Sequence, residues 1–79
     1  MAWQAFISSD PEILSGKPTL RGTRLSVEFV LDLFAKGWTR KQVIENYPAM
    51  TEEMLSAVFA FASEALHDEK IYFLKRDAA

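Results

Sequence analysis

Three stretches of the chain place apolar residues at helical spacing, and the same signal introduces each. Val27, Val30, Leu31 and Phe34 form one face, and Val43, Ile44 and Tyr47 a second. From Met54 to Leu66 two apolar stripes run side by side: Met54, Val58, Phe61 and Ala65, then Leu55, Phe59, Ala62 and Leu66. Ahead of each stretch stands a hydroxyl side chain, Ser26, Thr39 or Thr51, suited to accept a hydrogen bond from an orphan amide of a first helical turn. The residue before the hydroxyl and the one four after it are apolar each time: Leu25 with Val30, Trp38 with Val43, Met50 with Leu55. That pairing is a hydrophobic staple, and Gln42 gives Thr39 the reciprocal partner of a capping box. The spacing predicts helices over 26–36, over 39–46 and from 51 to at least 66. Gly37 suits a left-handed helix end, and Pro48 stops the second helix.

The first 25 residues carry a different pattern. "WQAFI" alternates loosely and predicts a short strand. Asp10 and Pro11 predict a turn. In "SGKPTLRGTRL", Gly16 and Gly22 are turn points between the extended pieces "PTL" and "RL", the pattern of a small hairpin. The expected fold is mainly α: a trihelical helix-turn-helix bundle with a short N-terminal β-hairpin, in a single domain over 1–79. Residues 1–25 form its arm, 26–66 its helical core and 67–79 its tail.

Composition bears on how such a domain holds together. A chain of 79 residues buries only about 60% of its unfolded surface, and without cysteine it has no disulfide to compensate. Of the thirteen residues from Met54 to Leu66, ten are apolar or alanine, more than one small core can cover. One stripe is therefore expected to meet another chain, giving a homodimer or a complex with a partner protein through Leu55, Phe59, Ala62 and Leu66. The tail adds Ile71 to Leu74, four large apolar side chains in a row. Ile71 and Phe73 are candidates for the same contacts, by helix extension, strand pairing with "WQAFI" or strand addition to a partner. No charged-then-apolar leader and no apolar run near the ~18 residues of a membrane span occurs, so the cytoplasm is the expected location.

Charge is uneven about a net −2. From Lys17 to Lys41 six basic residues face Glu28 and Asp32, a local +4; from Thr51 onward three basic residues face six acids, a local −3. Lys17, Arg21, Thr23, Arg24, Arg40 and Lys41 are the candidate DNA contacts, with guanidinium and ammonium groups near turn amides positioned for phosphate oxygens. The competing reading is that these residues only solvate a hairpin and pair with nearby acids. The helix after the tight turn, which reads the major groove in helix-turn-helix proteins, is here apolar and begins with Glu52 and Glu53, so it is a poor groove reader.

Chemistry for catalysis is sparse. Gly16-Lys17-Pro18-Thr19 lacks the upstream glycine of a phosphate loop. Glu64 and His67 have the spacing of a helical metal-ligand pair, but the further carboxylates of such a site are missing, and no nucleophile has a base partner. No enzyme activity, metal or cofactor is expected.

The order Ile7, Asp10-Pro11, Gly16-Lys17-Pro18, Arg21-Gly22-Thr23-Arg24, Val27, Gly37, Tyr47-Pro48 and Thr51 through Ala65 resembles the domain-of-unknown-function family numbered 433 over about residues 6–66. The resemblance implies a homeodomain-like helical fold. It also implies a VapB-like antitoxin of a bacterial type II toxin–antitoxin pair, whose partner is a PIN-like ribonuclease toxin and which represses its own operon by binding operator DNA. The alternative kept beside it is a protein-interaction or dimerisation module with no DNA binding.

Overall fold

The computed structural model describes residues 2–69. A 3-10 turn, Trp3–Ala5, leads into strand β1 (Ile7–Ser8). A second 3-10 turn, Leu14–Gly16, precedes strand β2 (Thr19–Leu20). Helices α1 (Val27–Ala35), α2 (Arg40–Asn46) and α3 (Glu52–Glu69) follow. The architecture is mainly helical, three helices and a short two-stranded antiparallel hairpin.

All three helices begin where the hydroxyls place them. Ser26 Oγ accepts from Phe29 N at 2.9 Å, Thr39 Oγ1 from Gln42 N at 3.1 Å and Thr51 Oγ1 from Met54 N at 3.1 Å. The Gln42 side chain accepts in return from Thr39 N at 2.8 Å, closing the capping box. α1 ends in a Schellman motif: Trp38 N donates to Leu33 O and Gly37 N to Phe34 O, with Gly37 at φ +96°. An added Cβ at Gly37 would meet nothing within 4 Å, so only the left-handed backbone calls for glycine here.

The inner members of the three staples, Val30, Val43 and Leu55, are all fully buried, together with Leu20, Met50 and Val58. The core thus draws on the hairpin and on every helix. α1 turns Val27, Val30 and Leu33 inward, while Leu31 and Phe34 of the predicted face are half-buried at its flanks.

The arm departs from its prediction. Trp3–Ala5 is a 3-10 turn, and only Ile7–Ser8 of that region is extended, pairing with β2 in the register Ile7↔Leu20 and Ser8↔Thr19. The hairpin predicted within 15–25 survives in reduced form. A bridge joins Thr19 to Ser26, with Leu20 N donating to Leu25 O and Val27 N to Pro18 O. β2 therefore has neighbours on both sides.

The 3-10 turn carries Trp3 onto α3. Its ring meets Phe61 edge-on at 4.8 Å, and its Nε1 donates to Glu64 at 2.8 Å. Part of the apolar surplus of α3 is thus covered from within the chain. The tail positions Ile71 and Phe73 lie outside the described residues.

Candidate functional site

Most of the candidate DNA-contacting side chains serve the fold. Arg21 donates from Nε and Nη2 to the Gln4 carbonyl, at 3.3 and 3.0 Å, tying the arm to the hairpin turn. Arg40 bridges α2 to α3: Nε donates to Glu52 Oε1 at 2.8 Å, Nη2 to Glu52 O and Ser56 Oγ, and the guanidinium lies 5.8 Å from the Phe59 ring centre. Thr23 locks its own turn, donating to Leu20 O at 2.8 Å and accepting from Leu25 N at 3.0 Å. Lys17 makes an exposed ion pair with Glu28 at 3.2 Å. Only Arg24 and Lys41 of the six make no ion pair or side-chain hydrogen bond among the described residues.

The expected association stripe on α3 is corrected at its first member. Leu55 is 0% exposed, because the fourth residue after a cap packs back toward the staple residue Met50 and so faces the core. Phe59 is 37% exposed, with the Phe34 ring 5.0 Å away and Arg40 beside it. Ala62 is half-buried. Leu66, at 55%, is the one truly open member.

Among the described residues, the other two exposed large apolar side chains lie together elsewhere, on the hairpin side. Leu14 and Phe29 line an open groove of about 600 Å³ with Lys17, Arg24 and Leu25. A second depression continues it along α1 past Glu28 and Asp32, sharing Lys17, Ser26 and Phe29 with the first. Phe29 is held edge-on to Tyr47 at 5.7 Å, and Tyr47 in turn neighbours Trp38 at 6.3 Å. One wall is therefore set by aromatic packing.

The opposite wall is strained. Leu14, Ser15 and Gly16 have φ of +50°, +57° and +85° in succession, a region that costs an L-residue roughly 1–2 kcal/mol each. Hydrogen bonds from Gly16 N to Ile13 O and from Lys17 N to Leu14 O hold the turn. Its consequence is that a leucine stands 43% exposed at the groove edge, where a relaxed turn built on glycine would offer no side chain at all.

The sequence pattern flags the cations of this site, Lys17 and Arg24, but not its apolar walls. The only visible trace of the walls is "IL" directly before "SGKP", two large apolar residues ahead of a turn. Among the described residues no group of three or more histidines, cysteines or acids is placed to hold a metal. Glu64 accepts from Trp3 instead. Nor, among the described residues, is any helix long and apolar enough to cross a membrane.

The family model described as "Protein of unknown function (DUF433)" matches residues 7–62. The chain belongs to the DUF433 family. That span contains the whole groove, from Leu14 to Phe29, and stops short of the Trp3–Glu64 contact at both ends. The fold is similar to that in a crystal structure of a DUF433 member protein from Anabaena variabilis ATCC 29413, with a TM-score of 0.71 and 26% identity, over 94% of this chain and 68% of that one. "Uncharacterized protein y4eO" of Sinorhizobium fredii (strain NBRC 101917 / NGR234) is 33% identical over 64 residues, covering 78% of this chain. The chain spans 29% of the length of that relative.

Proposed function

We propose that this DUF433 domain is the antitoxin half of a bacterial toxin–antitoxin pair, acting in the cytoplasm by holding a PIN-like ribonuclease. The observation that carries a protein-binding role is the strained Leu14–Gly16 turn, which sets an exposed leucine opposite an exposed, fixed phenylalanine. Strained backbone persists where the surrounding structure enforces it and concentrates at working surfaces. Paired exposed apolar side chains around a groove mark docking sites. The nature of the partner comes from the family resemblance. An exposed Leu66 supports a homodimer as a further assembly.

The helix order, with a short link from α2 to α3, supports classing the fold as helix-turn-helix and homeodomain-like. Operator binding has narrower support. α3 spends Met54, Leu55, Ala57 and Val58 on the core and opens with Glu52 and Glu53. Arg21 and Arg40 are committed inside the chain. With Arg24 and Lys41 as the uncommitted candidates among the described residues, about two phosphates would be neutralised there, a salt slope of about −2 per protomer. A protein-interaction module without DNA binding agrees better with where the cations sit.

Co-expression with a PIN-like ribonuclease, taken from beside its gene where one is encoded there, tests the reading. The chain is expected to restore growth and to co-purify with the ribonuclease as a stoichiometric complex. Continued toxicity with no complex would overturn it. A promoter fragment titrated at low and moderate salt tests the operator half separately.

A further inference from the structure

We infer that the groove between the Leu14–Gly16 turn and α1 receives a peptide segment of a partner protein in which a bulky apolar side chain is flanked by carboxylates. The inference rests on the protein-binding reading above and names the chemistry of the partner at that site.

Shape supplies the apolar half. A volume of about 600 Å³ lies within the range of ligand pockets, and its openness suits a peptide crossing the surface. The walls are set before anything binds: Phe29 rests against Tyr47, and the Leu14 backbone is held in its left-handed turn. Preset walls reduce the ordering cost of binding. One leucine or phenylalanine side chain lying between Leu14, Leu25 and Phe29 would cover the apolar surface these residues leave to solvent.

Charge supplies the acidic half. The groove lining contains Lys17 and Arg24 and no carboxylate. Arg24 has no ion pair among the described residues, and Lys17 has only Glu28, whose side chain is 77% exposed. A planar guanidinium beside an apolar slot matches a carboxylate through two parallel hydrogen bonds. The same charge gives the chain's own tail no advantage as occupant, because the residues directly flanking Ile71–Leu74 are Lys70, Lys75 and Arg76, and Asp68, Glu69 and Asp77 beyond them only bring 68–77 to neutrality. The apolar floor argues against duplex DNA, whose backbone offers nothing to fill it.

The test uses the full chain, isotopically labelled, and amide chemical-shift mapping. The probe is the peptide acetyl-Glu-Asp-Leu-Phe-Glu-Asp-amide. Its basic counterpart, acetyl-Lys-Lys-Leu-Phe-Lys-Lys-amide, and a short DNA duplex serve as the other arms. The acidic peptide is expected to shift amides of residues 14–17 and 24–29, and Arg24→Glu is expected to weaken it at least about tenfold, the scale of one lost charge-assisted contact. Leu14→Gly, which relaxes the turn and removes the apolar wall, should weaken it as well while the spectrum stays folded. Absence of shifts, shifts outside the groove, equal binding of the basic peptide, or binding of the duplex in the same groove would each overturn the inference. Full neutralisation of the ribonuclease by the Arg24→Glu chain would sink the groove as the docking site and spare the antitoxin reading. A wild-type chain that fails to neutralise while still binding the acidic peptide here would do the reverse.

Discussion

Leu55 and Leu66 lie eleven residues apart on α3, and truncating each to alanine separates a core contact from a surface one. Leu55 is fully buried and Leu66 is 55% exposed. Leu55→Ala removes buried methylene groups and leaves a cavity, a change that costs about 2–5 kcal/mol in packed cores. A 79-residue domain at ordinary stability per residue has about 4–12 kcal/mol in total. The substitution therefore takes a large fraction of it. At roughly 4–8 °C per kcal/mol for a domain of this size, the midpoint falls by at least about 8 °C. Leu66→Ala, at an open surface, is expected within about 0.5 kcal/mol of the parent. Urea unfolding followed by circular dichroism measures both, at two protein concentrations tenfold apart. A core role gives Leu55→Ala the same loss at each concentration, whereas an interface role makes the loss shrink on dilution, as the association it weakens is itself lost. Losses of equal size at the two positions, or a Leu55→Ala loss under about 1 kcal/mol, would refute the placement of α3.

Three further substitutions probe the backbone and the clamps. Gly37→Ala should cost about 1 kcal/mol in urea midpoint analysis, since the space is open and only the left-handed φ is penalised. Ser15→Gly should leave stability unchanged or raise it by up to ~1 kcal/mol, because relief of the left-handed strain outweighs the added chain entropy of glycine; a clear loss on thermal melting would contradict the strain. Arg40→Lys should cost about 1 kcal/mol even though charge is kept, because one ammonium cannot reach Glu52, Ser56 and the Phe59 face together. A loss no larger than that of Lys36→Ala, which removes only the exposed pair with Asp32, would show the clamp to be idle.

The helices were legible because their starts are local. A hydroxyl cap, a staple and a glycine stop all act within a few residues, and Ser26, Thr39, Thr51 and Gly37 take the positions their chemistry favours. The arm was not legible for the opposite reason. A 3-10 turn has no long period to read, and the partners that fix Trp3 are Phe61 and Glu64, at the other end of the described chain. The surroundings of the candidate site were hidden in two ways. Arg21 and Arg40 look like free cations in a basic stretch, but a main-chain carbonyl and a distant carboxylate absorb them, and neither acceptor is visible in the local pattern. Conversely, Leu14 reads as an ordinary apolar residue before a turn. Only its positive φ reveals that it is held outward.

Because Trp3 docks on a residue 61 positions later, the arm cannot be completed before α3 has been made. At translation rates of about 5–20 residues per second, Trp3 is synthesised roughly 3–12 s before Glu64. Through that interval the indole has no native seat, and the nascent arm is open to chaperones and proteases. Completion of the arm thus reports that α3 has left the ribosome.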